Sequence, residues 1–139
     1  MSFDEKSTWI LGMLAVVVPG AYILAIVGQA RNTPVAQIDY VPMMLTAIGV
    51  TIVLAIVAHI LVAIGSPTEA DKRDERDTSI YRHGELVGSY VLYVGVLVAL
   101  GLVMIRVEYF WIAHAIFVAF VLSGLTTSAV KIVAYRRGF

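Results

Sequence analysis

The sequence predicts an all-α membrane protein: a four-transmembrane-helix bundle, both chain ends cytoplasmic, with the third helix extended into the cytosol. Three observations carry this. Hydrophobic residues make up 60% of the 139-residue chain and charged residues 14%, where a soluble domain carries about a quarter charged; the mean hydropathy is +0.88. Four runs contain no Asp, Glu, Lys or Arg, at about 9–30, 40–65, 86–105 and 109–130, and each reaches the roughly 20 residues that cross a bilayer. All twenty charges lie between or beyond these runs, ten of them from Glu69 to Glu85.

The first run, Trp9 to Ala30, follows Asp4, Glu5 and Lys6. A cleaved leader has a basic start and an apolar core of about 7–15 residues; this run is longer and follows two acids, so it reads as a span. Pro19-Gly20 sits at its centre, and a kink there is tolerated if neighbours satisfy the freed carbonyl. Asn32, Thr33 and Pro34 break the chain into a loop. The second run, Tyr40 to Gly65, has Pro42 in its first turn and His59 as its only ionisable group.

The charged block 66–85 follows. Ser66 and Glu69 have capping-box spacing, and Pro67 suits a first helical turn. Glu69 with Arg73 and Arg73 with Asp77 are i,i+4 pairs, each contributing roughly 0.2–0.5 kcal/mol on an exposed helix. One helix from Pro67 to Ile105, or two with a bend near Gly84, is expected, with 67–85 in the cytosol. The acids are interleaved with Lys72, Arg73 and Arg76, which favours a salt-bridged face over a cation site. Arg106-Val107-Glu108 is a minimal turn, making the third and fourth helices antiparallel neighbours. The fourth run starts at Tyr109, and Lys131, Arg136 and Arg137 close the chain.

Four spans put the ends and the charged block on one side, with eight of the ten Lys and Arg; only Arg31 and Arg106 fall opposite. Basic residues favour the cytoplasmic face. Tyr40, Tyr109, Phe110 and Trp111 then form an outer aromatic belt, and Trp9 and Tyr135 an inner one.

An ionisable residue in a span marks a functional candidate, which singles out His59 and His114 for transport or proton transfer; interhelical hydrogen bonding or an interfacial position is the simpler role. With this topology their depths differ by about 15–20 Å, too far to share one haem iron. Gly84, Gly88, Gly95 and Ala99 recur at intervals of 4, 7 and 4 on one face of the third helix. Such small residues let helix backbones approach, inside the bundle or across a homodimer seam. The inner half of the fourth run adds Ser123, Thr126, Thr127 and Ser128.

Zero net charge gives no case for nucleic acid, and the lack of cysteine removes disulfides and thiolate chemistry. No acid lies within a run, and no nucleophile–base pair, HExxH, Walker A or GxGxxG motif occurs. Neither an enzyme nor a cofactor or metal is expected.

Asp74-Glu75-Arg76-Asp77, Ile80, Gly84, Gly88 and Tyr90 resemble a family of small four-span bacterial and archaeal membrane proteins of unknown function, marked by Asp-Glu-Arg before the third span. Glycine stands at 84 and 88 where that family more often has alanine. The resemblance implies a prokaryotic inner or plasma membrane protein, often encoded beside a small helix-turn-helix regulator, and transfers no catalytic or ligand residue.

The expected function is accessory or regulatory. The 66–85 helix is the interaction surface for a cytosolic or membrane protein, through Arg73, Asp74, Glu75 and Arg76. A small dimeric transporter or efflux-type protein is the alternative, and the absence of an acid mid-membrane weighs against it.

Overall fold

The computed structural model describes residues 3–65 and 75–137. Four helices account for nearly all of them: α1 (Phe3–Ala30), α2 (Tyr40–Gly65), α3 (Glu75–Met104) and α4 (Tyr109–Arg137), with one 3-10 turn at Val35–Gln37. At 1.5 Å per residue they are about 40–45 Å long, more than the roughly 30 Å of hydrocarbon. All four are long and apolar enough to cross a membrane. Their exposed surface is rich in large apolar side chains such as Leu24, Ile64, Leu97 and Met104, which suits lipid as the surrounding medium.

Helix ends differ from the edges of the uncharged runs. A charge marks where hydrocarbon ends, whereas a helix stops when its backbone does. So α1 starts six residues before Trp9, at Phe3, and continues through Pro19. Likewise α4 runs past Lys131 to Arg137. The expected start of the third helix at Pro67 lies outside the described residues. From Glu75 onward α3 is one helix, with no interruption at Gly84.

Helix packing follows the order α2–α1–α4–α3: α1 lies against α2 and α4, and α3 packs extensively on α4. The two short connections sit at one end of the bundle, where the Tyr40 and Phe110 rings meet edge to face at 5.3 Å. The chain ends share the other end, where the Arg136 guanidinium lies 5.3 Å from the Trp9 ring.

Small residues set the closeness of α3 and α4. A Cβ added to Gly84 would lie 2.6 Å from Lys131 Cγ, one on Gly88 would overlap Thr127 Oγ1, and one on Gly95 would overlap Ala119 Cβ. The Ser123 hydroxyl donates to the Gly88 carbonyl at 2.8 Å, a bond available only because the backbone is uncovered there. Ala99 continues this buried face.

The turn between α3 and α4 is a Schellman motif. Val107 N–H bonds to Leu102 C=O at 3.1 Å and Arg106 N–H to Val103 C=O at 3.0 Å. That geometry needs a left-handed residue, and Arg106 has φ 56°. Glycine adopts this conformation freely, whereas other L residues pay about 1–2 kcal/mol. Arg106→Gly is therefore expected to stabilise the chain by about 0.5–1 kcal/mol, read as a raised thermal midpoint in detergent; a lowered midpoint would show that the arginine side chain makes a compensating contact.

Candidate functional sites

Glu75 and Arg76, two of the four residues expected to bind a partner, open α3 and are exposed. Arg73 and Asp74 lie outside the described residues. One helical turn further on, Ile80 is fully buried and Gly84 is covered by α4. Tyr81, Arg82, His83 and Glu85 stay exposed.

The residue that holds this segment down is Lys131. It stands with the closing bases of the sequence, yet it is only 8% exposed. Its stem crosses Gly84, where a missing side chain leaves room. Its ammonium donates to Glu85 Oε1 at 2.7 Å and lies 3.9 Å from the Tyr81 ring centroid. A long basic side chain can bury its methylenes while its charge finds a carboxylate and an aromatic face. The sequence shows the glycine inside a charged helix, but not which side chain crosses it.

The two histidines have different surroundings. His59, on α2, is exposed, and its Nδ1 lies 3.4 Å from Ser7 Oγ near the start of α1. His114 sits among rings at the other end of α1. Its Nδ1 is 2.7 Å from the Phe110 carbonyl, which only accepts, so Nδ1 carries the proton. Nε2 then accepts from the Tyr22 hydroxyl at 2.8 Å. Phe110 lies 4.1 Å from the His114 ring, Tyr40 5.3 Å and Tyr22 5.7 Å, the last stacked. Ser7 and Tyr22 are fifteen residues apart on α1, so the two histidines are separated by about 22 Å along it.

Two members of the expected outer belt turn inward. Phe110 is 6% exposed and Tyr40 is half-buried, because both pack on His114. Tyr109 and Trp111 remain on the surface. With Tyr22, Ile26, Ile38, Ala47 and Phe117, Phe110 makes the buried core at the loop end. Tyr22, 92 residues from His114, carries no signal in the sequence: a lone tyrosine in an apolar run gives no hint of its partner.

Among the described residues no group of three or more His, Cys, Asp or Glu could hold a metal ion. Comparison of the chain with family models, curated proteins and solved structures finds no match.

Proposed function

We propose that this chain is a non-enzymatic accessory or regulatory protein of a prokaryotic inner or plasma membrane, and that stretch 66–85 docks a protein partner in the cytosol. The observation that carries the reading is how α3 is divided at its charged end. Ile80 and Gly84 face α4 and are buried, with Lys131 clasping Glu85 and Tyr81 from that side. The charged residues Glu75, Arg76 and Arg82 are exposed. A rigidly seated helix whose other side is charged can present a fixed pattern to a partner, and complementary charge sets partner choice and encounter rate more than raw affinity.

The eight-to-two distribution of Lys and Arg supports a cytosolic location for this surface, and the Asp74-Glu75-Arg76 resemblance supports the prokaryotic assignment. The test is co-purification, after crosslinking in the native membrane, of wild type and of a variant with Ala at 73–76. Loss of a discrete crosslinked partner in the variant is the expected result. Equal recovery from both chains would overturn the reading.

A further inference from the structure

Helix α3 ends the row α2–α1–α4–α3, so its side away from α4 is left uncovered. Leu86, Tyr90, Tyr93, Leu97, Leu100 and Met104 stand on that side, each between 52% and 76% exposed. They recur at steps of 4, 3, 4, 3 and 4, which keeps them within about 80° of the helix circumference, on the side opposite the buried Gly84, Gly88, Gly95 and Ala99.

Two of the six carry a hydroxyl into hydrocarbon. Tyr90 and Tyr93 lie about 7.5 and 12 Å along the helix beyond Glu85, the last charge before the span. Among the described residues neither hydroxyl has a hydrogen-bond partner. Helix α2, at the other end of the row, is as uncovered but differs in this respect. Its Thr46 and Thr51 hydroxyls donate to the Pro42 and Ala47 carbonyls, and its His59 meets Ser7. Lipid chains cover an apolar face at no cost, but they offer nothing to a hydroxyl.

We propose that this row on α3 is the interface of a parallel homodimer, its occupant being the same row in a second copy. Copies of one chain enter a membrane in one orientation. A two-fold axis along the membrane normal then sets each residue of the row against its own counterpart. A tyrosine hydroxyl both donates and accepts, so Tyr90 and Tyr93 each meet an identical group that can satisfy them. Alternating steps of 3 and 4 give the left-handed crossing of knobs-into-holes packing, in which Leu97, Leu100 and Met104 interdigitate with their counterparts. The small-residue face is already filled by α4, so a second copy cannot use it. The pairing also lays the two charged starts of α3 side by side.

The chain has no cysteine, so single cysteines report contacts without background. Leu97→Cys and Leu100→Cys, oxidised in native membranes with copper phenanthroline, are expected to give disulfide-linked dimers at least fivefold faster than Val98→Cys on the same helix or Ile56→Cys on α2, whose wild-type side chains are 54% and 55% exposed. In detergent, the double variant Tyr90→Phe/Tyr93→Phe keeps both rings and removes both hydroxyls. Its dimer, followed by analytical ultracentrifugation, is expected to be about tenfold weaker than wild type. Both positions are exposed, so its thermal midpoint at monomeric dilution is expected to be unchanged. The proposal is overturned if no position links, if Val98→Cys or Ile56→Cys links as fast as the row positions, or if the double variant dimerises as tightly as wild type, which would assign the hydroxyls to lipid headgroups.

Discussion

Gly88→Ala is expected to destabilise this protein by about 1–3 kcal/mol, the usual cost of forcing extra volume into a tight interface, although alanine is the better helix former. The new methyl would overlap Thr127 Oγ1 and approach the Ser123 carbonyl at 3.1 Å. A hydroxyl can rotate away; a backbone carbonyl cannot, so α3 and α4 must separate. Separation also stretches the Ser123–Gly88 hydrogen bond. The internal control is Gly101→Ala on the same helix, where nothing lies within 4 Å of the new methyl; alanine there is expected to stabilise by about 0.5–1 kcal/mol. Opposite signs at two helical glycines distinguish packing from propensity. A swap sharpens the test at Gly95: Gly95→Ala alone is expected to be destabilising, and adding Ala119→Gly, which removes the overlapped methyl, is expected to restore most of the loss. Thermal melts of the purified chain read all four variants. An unchanged midpoint in Gly88→Ala would mean that the two helices do not approach as closely as described.

These glycines also show what was legible in the sequence. Their spacing identifies one face of α3, because small residues at four- and seven-residue steps leave a furrow whatever the partner. What fills the furrow was not legible. Lys131, Thr127 and Ala119 are separated from Gly84, Gly88 and Gly95 by 24 to 47 positions, and α4 is apolar along most of its circumference. In water a helix reveals its buried side by contrast between apolar and polar residues. In lipid both sides are apolar and the contrast is lost. Four spans could therefore be read from charge-free runs, since hydrocarbon excludes charge, while the α2–α1–α4–α3 order could not. The histidines illustrate the same limit: their separation in depth follows from helical rise and topology, but their partners Ser7 and Tyr22 do not.

Removing the Tyr22–His114 contact is the other change with a large expected effect. His114→Ala is expected to destabilise by about 3 kcal/mol, because it combines three losses. The half-buried ring fills space between Phe110, Tyr40 and Tyr22, and part of the roughly 3–5 kcal/mol that truncating a fully buried ring costs is lost here. Some of that is recovered if Tyr109 or lipid moves in. The Tyr22 hydroxyl, on a side chain only 5% exposed, loses its acceptor, and an unsatisfied buried donor costs about 1–3 kcal/mol. The link between α1 and α4 is also cut. Tyr22→Phe isolates the hydrogen bond, since the ring remains on Phe117 at 4.9 Å; it is expected to cost about 1 kcal/mol, in the range of interhelical bonds in membranes. The double variant Tyr22→Phe/His114→Ala then separates the terms: if the bond is the shared element, its cost falls short of the sum of the two single variants by about 1 kcal/mol. Strict additivity would mean that the two side chains act independently, and that His114 serves the loop end only as a packed ring held to its own helix through Phe110.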